Sequence, residues 1–460
     1  MTRWGDVLGL SNRDGLEVAV RIIRALVEGR RIMCDKSGNR RIALRKIFAL
    51  VPLIVFGTPS LSPAAEGEPI KIGLVLPQNG PLKPVGDTIL HGFEAARTML
   101  GPIPMPNNQL RPVEFVVEQA AGDTWDPGLA AQACLRLKQE GVVAISGLGG
   151  GEGEGCNSVA GRLQIPIVGV NLVTAGVISD KCTKWFIGLS PPPQLLARGF
   201  TIVANDRFGD LIKKPWWVLT DAPDWGRDVA LAEKAAAGLN FQTLDIAPPG
   251  TTDWGPFLTK MRSSGAPVGI LIASWGDQYL ALIKQARDFG VDEKLSLIAP
   301  IGVPEWMLYE PGVAAALKNW TFPTQWGGIW TYESDWPLLK KYNEVHFKLY
   351  GIPPGGQGIY GASAYFILWN AIKEAGTTDP QPVLNKLLTE QVETPLWDKP
   401  LKVDLPGRQV EVPIFVTNVV KLPQKTYGAE YAHHATKVLS YVKDLRITPE
   451  KLGCTAGGPY

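Results

Sequence analysis

VVAISGLGGGEGEGC (142–156), followed by NSVAGRLQIPIVGVN (157–171), decides the fold. Val142 to Ile145 is a short apolar run that reads as a buried strand. A glycine-rich loop, a short helix and a second apolar strand, Ile165 to Val170, come after it. That is a βαβ unit of a parallel sheet. In such sheets ligands sit in the crevice beyond the carboxyl ends of the strands. The loops 147–155 and 171–176 are therefore expected to border one cleft. Glycines there leave backbone N–H groups bare and able to approach an anion.

A nucleotide loop is the rival reading, and the register excludes it. Counting G-x-G-x-x-G from Gly147 puts Glu152 at the sixth place; from Gly149 it is Glu154, and from Gly151 it is Cys156. No Gly-Lys-Ser/Thr follows, so there is no P-loop. The two glutamates would also repel a pyrophosphate.

The same alternation runs along the chain. Ile70 to Leu76 reads as a strand, with the loop 78–86 after it and helical spacing through Ile89, Phe93, Ala96 and Leu100. Val113 to Glu118 is a strand, Asp126 an N-cap with Pro127 at the first helical position, and Trp185 to Leu189 a strand. A second set restarts with strands at Trp216 to Thr220, Phe241 to Ile246, Val268 to Ala273 and Leu295 to Ala299, each followed by a loop. Helices are expected over 336–349, 362–375 and 380–390, and late strands near 401–403 and 412–422. Two sets of βα units mean two doubly wound domains in an α/β chain.

With 460 residues the chain holds two domains with real cores. A net charge of +2 gives no sign of nucleic acid or an anionic membrane as partner. Arg40, Arg41, Arg45 and Lys46 precede the apolar run Ile47 to Phe56, which is too short to span a bilayer. Ser62-Pro63-Ala64 then forms a cleavage site before Ala65, so residues 1–64 read as an extension and a secretory signal. Met33 is the more natural start for such a signal. No cysteine follows the apolar run, so no lipid anchor is expected, and the mature protein is expected to be soluble and exported.

An oxidising compartment permits a bridge between Cys156 and Cys182, which flank the second strand of the opening unit. Closing that loop would add about 3.5 kcal/mol. Cys134 falls on an apolar helix face with Ala130 and Leu137 and reads as a buried free thiol; Cys454 has no evident partner. With four histidines and no C-x-x-C, neither a zinc site nor any other metal or cofactor is expected. His433 and His434 read as a solvated helix face. Only His91 lies near a predicted cleft loop, and no G-x-S-x-G elbow exists, so an enzyme is not expected.

In the second set each strand end carries a tryptophan: Trp225, Trp254, Trp275 and Trp306, with Trp326 and Trp330 just beyond. Plain packing accounts for Trp185, Trp216, Trp320 and Trp369. Loop tryptophans at strand ends fit it less well, because loops lie at the surface. Two readings stand: core packing, or an aromatic wall suited to an apolar, aromatic or cationic ligand.

These residues resemble the periplasmic solute-binding proteins of branched-chain amino acid ABC transporters, the Leu/Ile/Val-binding type, over about Ile70 to Leu445. The marks are Ile70 to Leu74 with a Gly-Pro loop and the helix from Gly86 through Gly92 to Ala96; Ala121 to Asp123 with Pro127; Ile165 to Val168; and Asp221 with Trp225 and Gly226. Thr252 to Trp254, Gln285 and Ala286 with Gly290, and Tyr360 to Ala362 complete the set. The resemblance implies a type I periplasmic binding protein fold, two doubly wound parallel-sheet lobes joined by three crossovers. The first lobe would be 69–195 plus 325–405, the second 196–324 plus 406–445, and 446–460 a tail. It also implies a ligand clamped between the lobes by hinge closure, a membrane permease as partner, a monomeric protein and the periplasm as location. The Cys156–Cys182 spacing is similar to the disulfide of amino-acid-binding members.

Amino-acid-binding members hold the ligand carboxylate with a hydroxyl and backbone N–H groups on the loop after the fourth strand. The loop here offers Gly149 and Gly150 but no hydroxyl, and Glu152 and Glu154 disfavour an anion. Asn171, Thr174 and Ala175 on the next loop are candidate contacts, with Glu305 for a ligand ammonium. Asn79, Trp225, Trp275, Trp330 and Tyr360 complete the expected site. The expected function is substrate binding for an ABC importer, for an amino-acid-like or aromatic, planar solute. The alternative is a ligand sensor of the same fold acting with a signalling partner.

Overall fold

The computed structural model describes residues 65–442 except 81, 120–125, 171–182, 191–195, 198–199, 202–208, 223–224, 238, 273–275, 300–302, 304, 309, 325–335, 353, 390, 398, 405–408, 411–413 and 421–434. The expected signal, His433, His434 and Cys454 lie outside the described residues.

The chain opens with β1 (Ala65–Glu66) and β2 (Ile70–Leu76), then α1 (Lys83–Leu100). A hairpin of β3 (Ile103–Met105) and β4 (Gln109–Arg111) precedes β5 (Val113–Gln119) and α2 (Pro127–Gln139). Next come β6 (Ala144–Ser146), α3 (Gly150–Leu163), β7 (Ile167–Gly169) and β8 (Phe186–Gly188). The second set is β9 (Pro215–Thr220), α4 (Trp225–Ala237), β10 (Asn240–Ile246), α5 (Gly255–Ser263), β11 (Val268–Ile272), α6 (Asp277–Asp288) and β12 (Ser296–Ile298). Two short helices, α7 (Glu305–Leu308) and α8 (Val313–Ala316), lead to β13 (Phe322–Thr324). The last part is α9 (Pro337–Tyr350), α10 (Gly356–Ala375), α11 (Pro380–Thr389), β14 (Gln391–Val392), β15 (Leu401–Asp404), β16 (Gln409–Val410), β17 (Ile414–Val420) and β18 (Ala435–Val442).

One sheet has the order β14-β15-β16-β8-β7-β6-β2-β5 and another β10-β9-β11-β12. Within the first, β5, β2, β6, β7 and β8 pair in parallel, and all pairings of the second are parallel. The central strands β2, β6, β7 and β11 are almost wholly buried, as parallel sheets covered by helices require, while the edge strand β5 is largely half-exposed. In both sheets, the first strand of the set lies between the second and the third. The order therefore reverses between β2 and β6, and between β9 and β11. A separate antiparallel sheet, β13-β17-β18, uses the last strands.

Asp126 caps α2 as its sequence predicts, accepting the N–H of Gly128 at 2.7 Å and of Leu129 at 3.0 Å. The next helix departs from expectation. The glycine run is not a loop to residue 155, because α3 starts at Gly150. Isolated glycines weaken a helix. Here their small size is used: a Cβ on Gly155 would stand 2.0 Å from the Pro127 carbonyl oxygen. That close approach seats α3 on α2, and the two helices are also joined covalently. Cys156 pairs with Cys134, not with Cys182, across a sequence separation of 22 residues. Cys134 is thus not a free thiol. It lies on the buried face of α2, as its spacing predicts, and that face meets α3. Cys182 lies outside the described residues.

Helix α10 is buried from Gly356 to Trp369 and again at Ala371 and Ile372, as a mostly apolar helix in a core is. It packs between α1 and α11. Trp216 and Trp320 are fully buried, and Trp185 and Trp369 nearly so, in line with plain packing.

Candidate functional site

The crevice of a doubly wound sheet opens where the strand order reverses, at the carboxyl ends of the two flanking strands. In the first sheet those ends are Leu76 and Ser146. After Leu76, Gln119 ties the loop to the neighbouring strand. Its Oε1 accepts the Gln78 N–H at 2.7 Å and its Nε2 donates to Asn79 Oδ1 at 3.0 Å. Asn79 is exposed but held. Ser146 donates to the Val168 carbonyl at 2.6 Å, and Ser190 donates to that of Val170. These buried hydroxyls fasten adjacent strand ends together.

After Ser146 the backbone turns at Gly147 with φ of 85°, a left-handed conformation that a Cβ would strain. Gly149 is then the N-cap of α3 and Gly150 its first residue. Glu152 curls back so that its Oε2 accepts the Gly149 N–H at 2.9 Å. This is half of a capping box, since Gly149 has no side chain to return the bond. Glu152 is fully buried, and its Oε1 has no hydrogen-bond partner. Burial pushes its carboxyl up to about 8, against a smaller lowering by the Gly149 bond. The bare N–H expected at Gly149 is therefore already taken by the chain's own carboxyl.

In the second sheet the order reverses at the ends of β9 and β11. Asp221 follows β9 and is fully buried, and the Thr220 hydroxyl accepts the Ala222 N–H at 3.0 Å. Trp225 opens α4 and Glu305 opens α7; their side chains lie outside what the structure describes. Trp275, which follows β11, lies outside the described residues, as do Trp326, Trp330, Asn171, Thr174 and Ala175.

Trp254 is not part of an aromatic wall. It is fully buried and its Nε1 donates to the Gln278 carbonyl at 2.9 Å. Gln285 pins the same turn, accepting the Trp254 N–H at 2.8 Å and donating to the Thr252 carbonyl at 2.7 Å. Tyr360 is fully buried in α10, where burial raises its hydroxyl far above the usual range.

His91 does not serve a cleft loop. It stacks on Tyr350 of α9 with ring centroids 3.8 Å apart, and Tyr350 donates to Glu94 at 2.6 Å. Beside them His346 is buried and bonded through Nδ1 to the Ile352 carbonyl at 3.0 Å. Burial lowers His346 to about 4, helped by nearby His91 and opposed by the Ile352 bond. An open depression of about 580 Å³, lined by Arg97, Gly101, Leu110 and Val113 among others, sits where β5 begins. That is the amino end of the strand, away from the crevice. Among the described residues no group of three or more His, Cys, Asp or Glu could hold a metal ion. No described helix is long and apolar enough to cross a membrane.

The contacts that close these turns were not foreseen from the sequence. Gln119 and Gln285 act over separations of about 40 and 31 residues, which no local spacing signals. Glu152 carried a visible signal, an acidic residue three places after a possible N-cap.

Residues 69–424 match the family model described as Periplasmic binding protein. A Leu/Ile/Val-binding protein homolog 3 from Brucella melitensis is 23% identical over 241 residues, covering 48% of this chain. That match spans 59% of the relative's length. A leucine binding protein from Thermotoga maritima superposes with a TM-score of 0.67 at 17% identity, covering 81% of this chain and 99% of its own. A solute binding protein of an ABC transporter from Rhodopseudomonas palustris BisB5, in complex with 3,4-dihydroxy benzoic acid, gives 0.70 at 18% identity, covering 83% and 99%. These likenesses share the fold.

Proposed function

Because the chain belongs to the periplasmic binding protein family, whose members are non-enzymatic solute-binding proteins, we propose that it is the substrate-binding component of an ABC importer. It clamps a small organic solute between two lobes. The observation that carries this reading is the family match over residues 69–424, laid on two sheets that each have a switch point. In this reading the first lobe is 69–195 with 325–405, and the second is 196–324 with 406–445. The lobes close by a hinge motion, and the closed form docks on a membrane permease as a monomer. Residues 1–64 carry the export signal, and the periplasm is the working compartment.

The solute is amino-acid-like or aromatic and planar. Support comes from Trp225 and Trp275 at the strand ends of the second set, together with Asn79, Gly150, Asn171, Thr174, Ala175, Glu305, Trp330 and Tyr360 as candidate contacts. Thermal unfolding of the exported chain against amino acids, aromatic acids, amides, betaines and polyols tests the function. A solute at 100 times its dissociation constant adds about 2.7 kcal/mol of stability. Trp225→Ala or Trp275→Ala then weakens binding by about 1–3 kcal/mol. No stabilisation by any class would refute the receptor role. Unchanged affinity in both variants would return those rings to plain packing.

A further inference from the structure

The depression of about 580 Å³ at the amino end of β5 lies at the other end of the strand from the crevice. Pro102, Leu110, Pro112 and Val113 give it apolar walls, and Leu110 is 37% exposed there. Among the described residues, Arg97 is the one charged side chain that lines it. Its guanidinium is held in place but not neutralised. It stands 4.8 Å over the Phe115 ring, and its Nη1 donates to the Val113 carbonyl at 3.3 Å. Phe115 is braced edge-on against Phe93 and Tyr365, with ring centroids 5.7 and 5.6 Å apart. The acid one turn back on α1, Glu94, takes its hydrogen bond from Tyr350. Among the described residues no carboxylate lies within ion-pair distance of Arg97. A guanidinium has five N–H donors, so most of those of Arg97 are unspent.

We propose that this depression is a second small-molecule site, for a monoanion with an apolar body: an aromatic or aliphatic carboxylate. The planar fork of Arg97 matches a carboxylate, and a fork already fixed on Phe115 loses little freedom when it binds. The body of the ligand covers Leu110 and Pro112. The volume falls within the range of roughly 300–1,000 Å³ usual for small-molecule sites. Thr98, also on the wall, gives its proton to the Glu94 carbonyl at 2.9 Å, which leaves Arg97 as the side-chain donor. One cation and apolar walls suit a single negative charge better than a phosphate dianion or a polyol. The site is separate from the crevice, so it stands or falls apart from the receptor reading.

The probe is 4-benzoylbenzoate, a carboxylate whose benzophenone body cross-links under near-ultraviolet light, with neutral 4-benzoylbenzamide as its match. After irradiation of the full chain, peptide mapping locates the adducts. The carboxylate is expected to label residues 97–113 about tenfold more than the amide, the size of one charge-assisted contact. Arg97→Met, which keeps an apolar stem on Phe115, is expected to bring labelling of that segment by the carboxylate down to the amide level. Leu110→Glu, at an exposed position, sets a like charge in the depression and is expected to do the same. Unfolding midpoints check that both variants fold, and the surface position of Leu110 keeps the test open should Arg97→Met not fold. Equal labelling of 97–113 by carboxylate and amide, or labelling unchanged in the folded variants, would overturn the assignment. So would adducts found only elsewhere in the chain, and none of these results would touch the receptor role.

Discussion

Replacing Cys134 and Cys156 together by alanine removes the covalent tie between α2 and α3. The magnitude follows from the length of chain the bond closes. For a separation of 22 residues, the chain-entropy relation gives about 3.4 kcal/mol at 25 °C. Both sulfurs are buried, so alanine introduces no unpaired polar atom. Urea unfolding of the native protein and of the double variant, followed by far-ultraviolet circular dichroism, reads the difference. Reduction of the native protein under unfolding conditions is expected to lower the midpoint by the same amount. Cys182→Ala, in contrast, is expected to leave the midpoint unchanged. Peptide mapping without reduction should recover the peptides of Cys134 and Cys156 as one linked mass. A cost of this size in Cys182→Ala, with none in Cys134→Ala, would refute the argument and move the bond to the pairing that family resemblance implied.

Gly155→Ala would drive a methyl group to 2.0 Å from the Pro127 carbonyl oxygen. Overpacking of this kind costs about 1–3 kcal/mol, and urea unfolding reads it; a neutral effect would mean that α2 and α3 sit farther apart. His346 makes stability depend on pH. Its native pKa of about 4 lies below the ordinary 6.5, so the unfolded chain binds more protons between those values. Stability is therefore intact above 6.5 and falls as pH drops toward 4, by about 3 kcal/mol for a shift of 2.5 units at 1.36 kcal/mol each. Glu152 acts with the opposite sign: its pKa is raised from 4.5 to about 8, so its contribution is full below 4.5 and is lost as pH rises through 8. Urea midpoints from pH 4 to 9 should show a flatter acid limb in His346→Phe and a flatter alkaline limb in Glu152→Gln; limbs identical to those of the native protein would refute both assignments.

The fold was legible because buried parallel strands leave a local mark. Short apolar runs bounded by Gly, Pro and Asp placed β2, β5, β9, β10 and β11 within a residue or two of where they lie. The small strands β3, β4 and β13 were not legible, since each is three residues long and carries little pattern. Strand β18 likewise pairs with β17 across a long connection that no local signal announces. The alternation of strands and helices, and with it the family, could be read from the residues alone, because backbone periodicity is a local property. The roles of Cys156, Trp254 and Glu152 came from packing. Cys156 had two possible partners in the chain, and the seating of α3 on α2 chose Cys134. Trp254 had two possible surroundings, and Gln278 and Gln285 put it in the core. Glu152 was a charge in a loop until α3 began at Gly150 and folded it inward. Those outcomes depend on distances between segments far apart in sequence, which are set when the helices and sheets pack.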